Sequence, residues 1–255
     1  MEGQPVLKAE GIAKHFGSVI ALEKVDFEIA KGEVVGLVGD NGAGKSTFIK
    51  VLSGVHKKDK GRLFLDGREV NFESPKDSIA AGIETVYQDL AIAPHLDVYS
   101  NIFLGREETC GGILGKLGFV NRKAMKEFVS EELKRLRITI KSIDQKVGTL
   151  SGGQRQCVAI ARSVAWGKKI IIMDEPTAAL GVEQSQMVLD LINEIKARGL
   201  SVILISHTLP HVMEVCDRIT VLRLGKTIVE LNRGETGIDE VVQWITGSKT
   251  FMARH

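Results

Sequence analysis

The stretch EVVGLVGDNGAGKSTFIKVL, residues 33–52, constrains the fold of this chain more tightly than any other. An uncharged run, VVGLV, reads as a strand buried on both faces. Gly39, Gly42 and Gly44 follow within a few positions, and Lys45 to about Leu52 returns to helical spacing. Gly39 to Thr47, GDNGAGKST, fits the pattern G-x-x-x-x-G-K-[ST]. Backbone N–H groups in such a turn can converge on phosphate oxygens, and side chains there would block the approach. The N-terminus of the following helix adds the positive end of its dipole. Along Gly39, Asp40, Asn41, Gly42, Ala43 and Gly44 the backbone therefore forms a phosphate cradle. Lys45 is placed to reach β- and γ-phosphates, the Ser46 hydroxyl to ligate Mg²⁺, and Thr47 to make a second phosphate contact. The competing reading is an ordinary glycine turn, which the flanking strand and helix disfavour. A cradle of this kind implies nucleotide binding and leaves the reaction open.

Around this loop the pattern is that of an α/β chain. Residues 6–16 and 18–29 read as strands separated by Gly17, and Asp66-Gly67 between short apolar runs marks a hairpin. IETVYQD is a further strand. Residues 93–148 change character, with a glycine-rich CGGILGKLG and an amphipathic helix carrying Met125, Phe128, Val129, Leu133 and Leu136 at helical spacing. From Ser151 helices and strands alternate, ending in a hairpin and a last helix, IDEVVQWIT. Uncharged strands separated by helices imply a mainly parallel sheet covered on both faces. The expected division is a core of residues 1–92 and 149–255, with an antiparallel β subdomain at its N-terminus, and a helical subdomain of about 93–148 inserted into it.

Composition sets outer limits. A hydrophobic share of 44% with 26% charged residues supports a sizeable core, and a net charge of +2 selects no partner. No apolar run approaches the ~18 residues of a membrane span, and the N-terminus shows no secretory signal. The three cysteines, Cys110, Cys157 and Cys216, fit no disulfide framework and suit a reducing compartment. His207 and His211 are four apart, but Pro210 interrupts them and no carboxylate completes a zinc set. His15, His56, His95 and His255 read as surface or loop residues, and Cys157 as a packing residue.

Two further stretches bear on chemistry. In KKIIIMDEPTAALGVEQ an apolar strand runs into adjacent carboxylates, Asp174 and Glu175. One reading gives Asp174 to a metal and Glu175 to an attacking water. The other makes them helix-capping residues ahead of Pro176. Both readings can hold for one residue. In LSGGQ, Leu150 to Gln154, a serine and two glycines open a helix, which suits either an anion site or a simple serine N-cap.

Together these motifs resemble the ATP-binding-cassette (ABC) ATPases, over nearly the whole chain and in that family's order. GDNGAGKST resembles the Walker A motif, LSGGQ the signature motif and IIIMDE the Walker B motif with its following glutamate. Gln88 in VYQD is similar to the Q-loop glutamine, His207 in VILISH to the switch histidine, and Phe16 in KHFG to the aromatic residue that stacks on adenine. The resemblance implies ATP and Mg²⁺ as ligands, with Ser46, Gln88 and Asp174 at the metal and Glu175, His207 and Gln88 around the γ-phosphate and water. It also implies a head-to-tail homodimer. Ser151, Gly152, Gly153 and Gln154 of one copy would then meet the nucleotide of the other. Hydrolysis would weaken this dimer and drive a mechanical stroke.

The wording of residues 87–107 and 61–72 is similar to ATPases of bacterial monosaccharide importers of the ribose and fructose type. This implies transmembrane permease subunits as partners, a periplasmic sugar-binding protein acting indirectly, and a peripheral location on the cytoplasmic face of the inner membrane. Leu90, Ile92, Pro94, Leu96 and Tyr99 are the exposed candidates for permease contact. Alternatives are an importer of another solute, such as a branched-chain amino acid or a simple lipid component, or a soluble cassette ATPase acting on nucleic acid or ribosomes. The latter class typically carries a long coiled-coil insertion or tandem cassettes, so no nucleic-acid partner is expected. One departure stands out: Gly181 occupies a position where many relatives in this family place an aspartate, with Glu183 two residues on as a substitute.

Overall fold

The computed structural model describes residues 4–112 and 116–249. Among the described residues ten strands, with the ranges given below, form one sheet in the order β5-β4-β1-β2-β10-β9-β3-β8-β7-β6. The parallel half comprises β3 (Val34–Val38), β6 (Ile83–Val86), β7 (Ile170–Asp174), β8 (Ser201–Ile205) and β9 (Arg218–Arg223). Strand β10 (Lys226–Asn232) runs antiparallel to β9. The antiparallel half comprises β1 (Leu7–Phe16), β2 (Val19–Ile29), β4 (Lys60–Leu65) and β5 (Arg68–Val70). The two halves join where β10 lies parallel to β2, through the pair Lys226 and Lys24.

The strands of the parallel half fold this way because alternate side chains serve two cores. Val35, Leu37, Ile170, Ile172, Ile203 and Ile205 point into the core shared with the antiparallel half and helix α1 (Lys45–Leu52). Ile171, Met173, Val202, Leu204, Ile219 and Val221 point into the other. That second core is roofed by α5 (Gly152–Trp166), α6 (Val182–Ala197), α7 (Leu209–Val215) and α8 (Ile238–Thr246). Each fully buried Ile or Val contributes on the order of 1.5–3 kcal/mol. With both faces covered, the strands' carboxyl ends are left to shape a site.

Between β6 and α5 lie α3 (Val98–Ile102) and α4 (Arg122–Arg135). Their Val98, Ile102, Met125, Val129 and Leu133 join the second core. Phe128, expected on the buried face of α4, is 38% exposed and instead stacks on Trp166 at 5.8 Å. Tyr99, expected to be exposed, is buried, because α3 turns that side chain inward with Val98 and Ile102. Pro94 and Leu96 are exposed, while Leu90 and Ile92 are half-buried against the core. The tip of the CGGILGKLG segment, residues 113–115, and His255 lie outside the described residues. Helix α2 (Pro75–Ala81) was not anticipated, although its signals are local. Pro75 sits in its first turn, the Asp77 carboxylate accepts from the backbone N–H of Ser74 at 2.8 Å, and Gly82 ends it. Among the described residues no helix is long and apolar enough to cross a membrane.

Candidate active site

The glycine-rich turn leaves β3 at its carboxyl end and enters α1 at Lys45. Two of its glycines are required by close approach. A Cβ on Gly39 would lie 2.2 Å from the Leu222 carbonyl oxygen. At Gly44 the backbone is left-handed, with φ of 105°, and a Cβ would meet the Leu22 side chain at 2.7 Å. The loop is also tied from outside: the Gly225 N–H donates to the Ala43 carbonyl at 3.0 Å, and the Gly225 carbonyl accepts from Glu23 and Lys24 on β2.

Lys45, Ser46, Gln88, Asp174, Glu175 and His207 line one cleft of about 660 Å³, together with Gly39, Asp40 and Asn41. They come from the ends of β3, β6, β7 and β8 and the loops that follow. Gly42, Ala43, Gly44 and Thr47 belong to the loop and first helical turn but not to the lining. The Lys45 ammonium donates to the carbonyls of Gly39 and Asp40 at 2.7 and 3.0 Å. Burial holds its pKa below the usual lysine range, against the opposing pull of Glu175, Asp40 and Asp174. Burial also pushes the Asp174 carboxyl up, reinforced by the charge of Glu175 and opposed by Lys45 and Lys50. The cleft thus holds an under-solvated cation beside an under-solvated carboxylate, which suits a polyphosphate carrying a divalent cation.

Glu175 is held from several sides. Its backbone N–H donates to Ile205 at 2.9 Å on β8, and its carboxylate meets the His207 ring Nδ1 at 2.8 Å and backbone N–H at 3.3 Å. Its φ is 52°, a left-handed conformation that is costly for a residue with a Cβ. A carboxylate in such a position, paired with an imidazole beside a phosphate cradle, can orient and deprotonate water.

Other anticipated residues sit elsewhere. Phe16 is 44% exposed at the end of β1, its ring edge-on to His56 at 5.1 Å, and does not line the cleft. Residues 150–154 are also outside it. There Ser151 caps α5, its hydroxyl accepting from the Gln154 N–H while the Gln154 side chain accepts from the Ser151 N–H, both at 3.2 Å. The cap uses the serine as acceptor and leaves its O–H as a donor. Gly181 is the N-cap of α6, with no side-chain cap and open space around its α-carbon.

Some site residues carried no sequence signal. Leu209, Val242 and Ile245 form an apolar wall of the cleft, the last two from α8. Arg162 on α5 donates to the carbonyls of Ala91 and Leu90 at 2.8 and 3.2 Å, so the loop after Gln88 is fastened to the helix that Ser151 opens. Asn101, fully buried, accepts from the Ala93 N–H at 2.7 Å and donates to the carbonyls of Ala93, Leu96 and Asp97.

Comparison with known proteins places this geometry. The ABC transporter family matches residues 22–178. The chain is 47% identical to the fructose import ATP-binding protein FrcA of Rhizobium meliloti, over 98% of this chain and 96% of that one. It is 49% identical to the xylose/arabinose import ATP-binding protein XylG of Sulfolobus acidocaldarius, over 94% of each. A nucleotide-free ATP-binding cassette from an ABC transporter superposes with a TM-score of 0.78 at 29% identity, covering 95% of this chain and 96% of the other. A dimeric cassette in a post-hydrolysis state, bound to ADP and Pi, superposes with a TM-score of 0.73 at 25% identity, covering 91% of this chain and all of the other, 100%. The chain belongs to the ABC transporter family and is one of its ATP-hydrolysing cassettes.

Proposed function

We propose that this chain powers monosaccharide import as the ATPase subunit of an ABC importer, working as a pair of copies on separate permease subunits. The observation that carries the reading is the division of the site. Lys45, Asp174, Glu175 and His207 converge in one cleft, whereas Ser151–Gln154 stand outside it at their own helix N-terminus. A second copy placed head-to-tail supplies the missing wall, and two-fold symmetry completes both sites at once.

In this reading the triphosphate lies along the glycine-rich turn and Lys45 leaves the carbonyls of Gly39 and Asp40 for phosphate oxygens. Phe16 stacks on adenine. Ser46, Gln88 and Asp174 would hold Mg²⁺. The fit is supported by Asp174, whose burial and charged neighbour disfavour the bare carboxylate. When bound, the ion neutralises charge on the phosphate oxygens. Glu175 orients the attacking water and receives its proton, His207 holds the Glu175 carboxylate and faces the γ-phosphate, and Gln88 relays its state to the loop fastened by Arg162. The Ser151 O–H and the N–H groups of Gly152 and Gly153, with Gln154, face the other copy's γ-phosphate.

The sugar assignment rests on the two relatives, whose names specify fructose and xylose/arabinose import. It implies a peripheral position on the cytoplasmic face of the membrane, and a periplasmic sugar-binding protein that acts through the permease. Purification from native membranes tests the whole reading. Permease subunits should copurify, and a monosaccharide with its binding protein should raise ATPase turnover. Ribosome cosedimentation without membrane subunits would refute it. Mixing chains carrying Lys45→Ala with chains carrying Ser151→Ala tests the shared site. A mixed pair regains one intact site only if the serine acts across the interface.

A further inference from the structure

Thr177 and His211 form a second rung between the two loops that carry Glu175 and His207. The Thr177 hydroxyl and His211 Nδ1 are 3.0 Å apart, across 34 residues of sequence, and Thr177 is 8% exposed. The first rung, Glu175 to His207, spans 32 residues at 2.8 Å. The second rung adds a side-chain contact farther along both loops to those that Glu175 makes with His207 and Ile205, and so further fixes the relative orientation of the loops. The second is anchored on a helix: His211 lies in the first turn of α7, where its N–H donates to Thr208 at 3.0 Å, and α7 is seated on the core through Val212 and Val215.

The conformation of Glu175 makes this anchorage matter. A left-handed residue costs on the order of 1–3 kcal/mol and persists only where its surroundings fix it. On its N-terminal side β7 and the Ile205 carbonyl do so. On its C-terminal side the chain turns again at Ala179, with φ of 59°, and is held by the Ala178 N–H on the Glu175 carbonyl at 3.0 Å and by Thr177. The same segment ends at Gly181, so the clasp also sets the loop leading to α6.

We infer that His211 and Thr177 are positioning residues for ATP hydrolysis, holding Glu175 and His207 in register by a side-chain clasp between the two loops. This rests on the proposed roles of Glu175 and His207. Neither Thr177 nor His211 lines the cleft, so their removal acts on turnover and leaves nucleotide affinity alone.

The test compares steady-state ATPase kinetics and Tm of the full chain carrying Thr177→Val, Thr177→Ser, His211→Leu, His211→Asn and the double change Thr177→Val/His211→Leu. Thr177→Val keeps the shape and removes the hydroxyl, and His211→Asn retains a polar group near Nδ1. Thr177→Val and His211→Leu should each lower kcat about three- to tenfold with KM for ATP unchanged, as for the loss of one hydrogen bond. The double variant should be no slower than the slower single one, and Thr177→Ser and His211→Asn should recover most of the rate. Wild-type kcat in a folded Thr177→Val chain overturns the clasp, as does multiplication of the two losses in the double variant. Glu175→Gln serves as the separate control: if it turns over normally, the reading of the site itself has failed.

Discussion

Glu175 meets His207 twice, at the imidazole Nδ1 and at the backbone N–H, across loops that follow neighbouring parallel strands. In the proposed reading this contact joins the base to the residue that orients it. Glu175→Gln should keep ATP affinity within about twofold and lower kcat about 10²–10⁴-fold. Turnover assays with calorimetric ATP titration check this, and size-exclusion chromatography with ATP should show the variant accumulating as a dimer.

Asp174 predicts a conflict between stability and activity. Its folded-state pKa is raised, so its contribution favours the folded chain below the unfolded-state value and is lost as pH rises through the folded one. Above the ordinary aspartate range the carboxyl is therefore destabilising without ligand. Asp174→Asn should raise the Tm of the nucleotide-free chain at pH 7, shrink that gain as pH falls toward the ordinary aspartate range, and reduce turnover at least about 10²-fold. Thermal denaturation across pH, paired with ATPase assays, reads both.

Gly181 offers a gain. Its φ of −71° suits any residue and nothing crowds a new Cβ. Gly181→Asp should cap α6 and add a few tenths of a kcal/mol. Unchanged cooperativity between sites in ATPase titrations would show that the missing carboxylate is neutral for their communication.

The thiols should separate cleanly. Burial pushes the Cys157 thiol up to about 11 and raises Cys216 further, while Cys110 is only half-buried. A thiol reagent at pH 7 should label Cys110 first in the native chain, and all three after denaturation. Peptide mapping identifies the sites. Rapid native labelling of Cys157 would contradict the packing of α5.

What could be read in the sequence was local. Asp66 and Gly67, with φ of 49° and 74°, form the hairpin turn that their dipeptide announces. The glycines before Lys45 and the carboxylates at the end of β7 carry their chemistry within a few residues, so spacing sufficed to place them. The Ser151 cap and the anion-site reading of LSGGQ turn out to be compatible, because a hydroxyl can accept and donate at once. Tyr99 was misplaced because a five-residue helix gives too little periodicity to tell its faces apart. The Arg162 bonds to residues 90 and 91, and the clasp of Thr177 with His211, join segments 71, 72 and 34 positions apart with no local pattern to mark them. Residues of this kind are set by tertiary packing, which spacing along one chain does not encode.

The bonds of Gly225 have a mechanical consequence. This one residue in the β9–β10 turn fastens the glycine-rich loop through Ala43 and β2 through Glu23 and Lys24. Strand β2 is paired in turn with β1, which carries Phe16 at its end. The two halves of the sheet are thus joined beside the glycine-rich loop, and backbone bonds link the strand pair that carries Phe16 to the loop that precedes Lys45. In the proposed reading, with adenine on Phe16 and the phosphates at Lys45, a nucleotide would be held at both ends by segments joined through these bonds. Movement on losing its terminal phosphate would, in that reading, be taken up elsewhere, on the side of Gln88 and the helices beyond it.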